Sequence, residues 1–179
     1  MKQVESLEKT ICLLKAVVNP STYEAFVARV ATNRPLTRDE GESDHFCCMV
    51  IPYYRPSNSV FIGHHVKSDL WIAPGGHIDK GETAQQTILR ETQEELRMEA
   101  PSQLVPFSLT LVDIENKKQT HCRRHYDIWY LMDCEQKYDF DYDQREFHEA
   151  GWLRLEQALR KSSRSAYEGV LLQLQETGG

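Results

Sequence analysis

At 179 residues, with 40% hydrophobic and 27% charged side chains, the chain has the size and composition of one globular domain with a substantial core. A formal net charge of −6 argues against a broad nucleic-acid-binding surface, so an anionic substrate must be met by a local basic patch or by metal. No apolar run approaches a membrane span, and the first residues lack the apolar stretch of a signal peptide. Five cysteines, odd in number and without CxxC spacing, read as reduced thiols, so a cytoplasmic location is expected.

Val4, Leu7, Ile11, Leu14 and Val18 recur at helical spacing over residues 3 to about 17. Pro20-Ser21 ends this helix, and a second one, capped by Ser21 or Thr22, runs to about Val30. The polar stretch from Asn33 to Asp44, with Pro35 and Gly41, reads as a linker. Residues 1–40 are then a helical extension with its linker, and 41–179 the main domain. Strands are expected from Phe46 to Ile51, with Cys47 and Cys48 as core fillers, from Val60 to Gly63, and from Leu70 to Ala73. A helix follows from about Thr83 to Arg97, then strands from Leu104 to Ile114 and from Tyr126 to Met132. A short strand from Trp152 to Leu155 leads into a helix opened by Glu156, and a closing helix spans about Ser165 to Gln175. This order predicts an α/β sandwich with a mixed sheet.

The chemistry concentrates between Gly75 and Met98, in GGHIDKGETAQQTILRETQEELRM. Helical spacings of three and four put Glu91, Glu94 and Glu95 on one narrow face. Beside them Ala84, Ile88, Leu89, Thr92 and Leu96 form an apolar stripe that must face the sheet. Three like charges at the edge of a buried face repel one another unless a cation neutralises them. An oxygen-only donor set favours Mg²⁺ or Mn²⁺ over zinc. A solvated helix face would account for the glutamates alone, but not for the glycine turn in front of them or the adjoining Arg90.

This segment resembles the signature box of Nudix hydrolases: Gly, five residues, Glu, seven residues, Arg-Glu, two residues, Glu-Glu. All six positions match, at Gly76, Glu82, Arg90, Glu91, Glu94 and Glu95. The resemblance implies an α/β/α sandwich that uses Mg²⁺ or Mn²⁺ to cleave nucleoside diphosphates linked to a further group. It implies that Glu91, Glu94 and Glu95 hold the metals, with the Gly75 carbonyl as a further ligand. Gly76, Glu82 and Arg90 are expected to be structural, Arg90 by clamping carboxylates. One glutamate must take a proton from the attacking water; Glu94 is the first choice and Glu91 the second. Glu149, three residues before Trp152, is an extra metal ligand or base, or equally an ordinary surface residue. The family's usual glycine two residues past the last glutamate is Arg97 here, which leaves the helix exit in question. The N-terminal helices, His64-His65-Val66-Lys67, the run from Trp71 to His77, and His125-Tyr126-Asp127 are similar to a bacterial Nudix subgroup, so a bacterial type of enzyme is expected.

Outside the box, Lys117, Lys118, His121, Arg123, Arg124 and His125 crowd one inter-strand loop. Arg123, Arg124 and His125, together with His64, are candidate contacts for substrate phosphate, whereas Lys117 and Lys118 read better as a solvated hairpin. His121-Cys122 with His125 suggests zinc, but no second ligand pair follows at suitable spacing, so zinc is rejected. Trp71 reads as core. The expected partner is a small-molecule diphosphate, with no nucleic-acid polymer and no membrane. Tyr23, Phe26 and Val30 pack against the sheet domain or a second copy, which leaves a homodimer open. Two rival functions remain: a nucleotide-sensing or binding module without hydrolysis, and an isoprenoid-diphosphate isomerase using Cys47 or Cys48.

Overall fold

The computed structural model describes residues 2–98, 103–114, 121–162 and 166–177; Lys117 and Lys118 lie outside them. Its elements are α1 (Lys2–Leu13), α2 (Pro20–Val30), β1 (Asp44–Tyr54), β2 (Ser59–His65), β3 (Trp71–Ile72), β4 (Gly75–His77), α3 (Ala84–Leu96), β5 (Leu104–Asp113), β6 (Arg124–Asp133), β7 (Phe147–Arg154), α4 (Leu155–Lys161) and α5 (Ala166–Thr177). The expected mixed α/β architecture is present. The strands form a 7-stranded sheet in the order β3-β2-β1-β6-β5, with β4 on β1 and β7 on β2. Neither β4 nor the start of β7 was expected. Gly75-Gly76-His77 offers no alternating pattern, and Phe147-His148-Glu149-Ala150 offers a single large apolar side chain.

The chain divides into two compact units. The first joins Met1–Met49, Gly76–Ile88 and Pro106–Tyr130. Here α1 buries Leu7 and Ile11 of the stripe read from its period, together with Thr10. Helix α2 begins two to three residues earlier than expected. Asn19 is its cap, accepting from Ser21 N at 2.9 Å, and Pro20 takes the first helical turn, where a missing N–H costs nothing. Phe26, Phe46 and Tyr126 stack edge-on and tilted, with ring centroids 5.2–5.8 Å apart. The stretch read as a linker is packed. Leu36 and Thr37 are buried, and the buried Arg29 donates to the carbonyls of Asp44 (2.8 Å) and Pro35 and lies 3.7 Å from Glu42. A fixed guanidinium that satisfies several carbonyls holds a segment with too few apolar side chains to hold itself.

The second unit joins Val50–Gly75, Leu89–Val105 and Leu131–Gly179. Strand β2 is its centre. It pairs antiparallel with β7 from Ser59↔Arg154 to His65↔Phe147, and with β3 at Gly63↔Ile72 and His64↔Trp71. Gly63 is required here, because an added Cβ would drive into the Phe147 ring. Trp71 is not core. It is half-buried between the His64 ring, stacked at 5.8 Å, and the Lys161 ammonium, 3.6 Å from its centroid.

Candidate active site

Helix α3 is launched by reciprocal bonds in a capping box: Thr83 N donates to Gln86 Oε1 at 2.9 Å, and Gln86 N to Thr83 Oγ1 at 3.2 Å. Ala84, Ile88, Thr92 and Leu96 are buried as the stripe requires, but Leu89 is 39% exposed and belongs to the other side. Glu82 accepts from Thr87 Oγ1 at 2.8 Å, a contact between the turn and the helix that follows.

The three candidate ligands do not share one environment. Glu91 and Glu95 are each only 7% exposed, whereas the Glu94 side chain is 60% exposed. Arg90 links the two kinds: its Nη1 donates to Glu91 Oε1 at 2.7 Å and to Glu94 Oε2 at 3.4 Å. Glu95 Oε2 accepts from the Gly75 N–H at 2.8 Å. Gly75 adopts φ 146°, a conformation side chains rarely enter, which turns its amide to the carboxylate. This structural contact of Gly75 thus runs through its N–H.

Burial, with Glu91 and Glu146 as like-charged neighbours, pushes the Glu95 carboxyl up to about 8, and the Gly75 N–H only partly offsets this. Glu146 is the acidic residue that the sequence reading missed. Its carboxylate meets Lys67 Nζ at 2.8 Å and His65 Nε2 at 3.4 Å. Glu149, three residues on, is exposed on β7 opposite His64. Counting residues back from Trp152 could not reveal this, because β7 carries a bulge between the partners of His64 and His65. Buried carboxyls held near one another with too little positive charge are the donor chemistry that suits a hard divalent cation.

Arg97 resolves the question of the helix exit. It takes the left-handed conformation itself, at φ 52°, and its N–H closes on Gln93 O at 3.1 Å.

Arg124 Nε pairs with Asp113 at 2.6 Å, Arg123 is exposed, and His64 Nε2 meets Asp69 Oδ1 at 2.8 Å. His125 is half-buried in a different group, with the ring of His45 at 4.8 Å and that of His77 at 5.2 Å. The rejection of zinc rested on a missing second ligand pair. The structure supplies one: His45, His77, Cys122 and His125 carry ligand atoms within 4.8 Å of one another. Spacing failed because His45 and His77 precede the loop by dozens of residues and arrive through strand pairing. Cys47 and Cys48, the cysteines of the isomerase alternative, are buried, and burial pushes the Cys47 thiol well up.

These features define a class, a mixed α/β domain whose glycine turn feeds a helix of clustered carboxylates. The chain belongs to the Nudix hydrolase family: the model of the NUDIX domain matches residues 32–174. Solved structures agree on the fold. The Escherichia coli dihydroneopterin triphosphate pyrophosphohydrolase superposes with a TM-score of 0.66 at 16% identity, over 74% of this chain and 95% of that one. A MutT protein from Methanosarcina mazei gives 0.58 at 14% identity, over 82% and 98%. The Caenorhabditis elegans Ap4A hydrolase gives 0.57 at 17% identity, over 75% and 98%. Among the described residues no helix is long and apolar enough to cross a membrane.

Proposed function

We propose that this Nudix hydrolase is a Mg²⁺- or Mn²⁺-dependent pyrophosphohydrolase, which cleaves a phosphoanhydride in a small substrate of the nucleoside-diphosphate-linked type by attack of water on phosphorus. The observation that carries this reading is the pair of buried carboxyls on one helix, Glu91 held by Arg90 at 2.7 Å and Glu95 by the Gly75 N–H at 2.8 Å, with burial pushing the Glu95 carboxyl up. Such a group regains its charge most readily beside a cation. Bound divalent ions would polarise the bridging phosphate oxygens and acidify a water. Glu91, Glu94 and Glu95 are the proposed ligands, with Glu149 retained as an additional candidate and the Gly75 carbonyl as a further donor.

Within this reading Glu94 is the general base, with Glu91 the second choice. The Glu94 carboxylate is open to solvent, where water enters, and Arg90 restrains it through the 3.4 Å contact. It takes the proton that water loses as the new O–P bond forms and the bridging P–O bond breaks, and the leaving phosphate departs with that electron pair. Arg90 positions both Glu91 and Glu94, and Glu82 keeps the turn in register. His64, Arg123 and Arg124 are kept as candidates for phosphate beyond the metals. The names of two structural neighbours, a pyrophosphohydrolase and an Ap4A hydrolase, support a phosphoanhydride substrate. Five free cysteines suit a reducing compartment, so a cytoplasmic location belongs to the proposal.

The test is a panel of nucleoside triphosphates, sugar nucleotides, dinucleoside polyphosphates and coenzymes, each with Mg²⁺, Mn²⁺ or EDTA. Turnover of at least one compound with metal and none in EDTA is expected. Nucleotide binding without phosphate release under every condition would make the protein a sensor and end this reading.

A further inference from the structure

We infer that His45, His77, Cys122 and His125 form a structural zinc site in the first unit, built from different donors than the glutamate helix uses. His45 comes from β1, His77 from the end of β4, and Cys122 and His125 from the entry and start of β6. The three imidazole rings lie mutually 4.7–5.2 Å apart, centroid to centroid. The Cys122 thiol is buried with them.

The tautomer of His45 follows from its neighbour. His45 Nδ1 lies 2.9 Å from Glu42 O, and a carbonyl can only accept, so Nδ1 carries the hydrogen. Nε2 is left as a bare lone pair. It belongs to a fully buried ring and has no hydrogen-bond partner. His125 Nε2 is likewise buried and unpartnered. A buried ring nitrogen without a hydrogen-bond partner is costly, and two in one group with a thiol and a third imidazole call for a cation. An imidazole that donates its other N–H to a backbone carbonyl is how proteins orient a metal-bound histidine.

Three nitrogens and one thiolate are borderline donors, which select zinc over Mg²⁺ or Mn²⁺. Four protein donors fill a tetrahedron and leave no open position, so the site is structural. Its ligand atoms lie within 4.8 Å of one another, whereas Zn–N distances of about 2.0–2.1 Å and a Zn–S distance of about 2.3 Å imply edges of roughly 3.3–3.6 Å. Side-chain rotations that draw the widest pair inward by about 1 Å close the tetrahedron. A second group, Cys47, His125 and Asp127, overlaps at His125. It offers one imidazole and no carbonyl-oriented histidine, so Cys122 is assigned as the sulfur ligand.

The experiment uses untagged full-length protein, purified without chelator. Metal content by mass spectrometry is expected to give about one zinc per chain in wild type, in Cys47→Ser and in Glu94→Gln, and at least a tenfold loss in Cys122→Ser and His45→Ala. To separate metal loss from misfolding of the variants, wild type stripped of metal is also reloaded with Co²⁺. The bands of a tetrahedral cobalt ion and a thiolate-to-cobalt charge-transfer band are expected, the latter missing in Cys122→Ser. Wild type that holds no zinc and gives only the spectrum of aqueous cobalt would overturn the site. Retention of zinc in Cys122→Ser with loss in Cys47→Ser would overturn the ligand assignment. Glu94→Gln separates the two proposals, since failure of hydrolysis leaves zinc content untouched, and absence of zinc leaves the Mg²⁺ requirement of hydrolysis to stand or fall separately.

Discussion

The glutamate helix and the histidine–cysteine group are opposite ways of assembling donors. Glu91, Glu94 and Glu95 lie within five consecutive residues, and one turn of α3 supplies their geometry. His45, His77, Cys122 and His125 span 81 residues and meet only because β4 lies on β1 and β6 follows β1 in the sheet order. The first group is hard, anionic and partly wet; the second is borderline, largely neutral and half-buried to buried. Their expected metals differ accordingly, and so do the changes that should disable each.

The largest expected effect is on the first group. Glu94→Gln should lower kcat by roughly 10²–10⁴-fold on the best substrate, with zinc content unchanged, as steady-state kinetics will show. Full rate in that variant would move the base to Glu91. Next comes the second group: stripping zinc should lower the unfolding free energy by about 2–4 kcal/mol, read from urea melts before and after reloading. Mg²⁺ should not restore it.

A pH dependence sharpens the comparison further. Without divalent metal, native Glu95 holds its proton up to about 8, whereas its ordinary value is 4.5. The unfolded chain therefore releases a proton that the native state keeps, and stability falls as pH rises from about 4.5 to about 8, by at most about 1.4 kcal/mol per unit. Above that window the loss is complete and flat. Urea melts of metal-free protein should show this slope, and Glu95→Gln should flatten it. Saturating Mg²⁺ should flatten it too, if the proposed ligand set is right. The smallest effect belongs to Arg97→Gly, which should stabilise by about 0.5–1 kcal/mol by relieving a left-handed residue with a side chain. The 3.9 Å contact of Arg97 with Asp143 is long and open to solvent on the arginine side, and offsets little of this.

Local spacing made the box, the stripe of α3 and most strands legible, because a helix converts intervals of three and four into one face without help from the rest of the chain. It misjudged Leu89, since the width of the buried stripe depends on what packs against it. It read the run from Asn33 to Asp44 as a linker, since nothing local says that Arg29 reaches back to the carbonyls of Pro35 and Asp44. It singled out Glu149 and passed over Glu146, whose carboxylate meets Lys67 and His65 from 79 and 81 residues away, a contact that no local interval reports.

What the sequence alone determined is the family, the α/β class and the carboxylate helix, all encoded at short range by residue type and interval. What only the tertiary structure decided is the burial that splits Glu91 and Glu95 from Glu94, and the meeting of His45 and His77 with Cys122 and His125. Burial and strand pairing join residues far apart in the chain, so no interval along it carries that information.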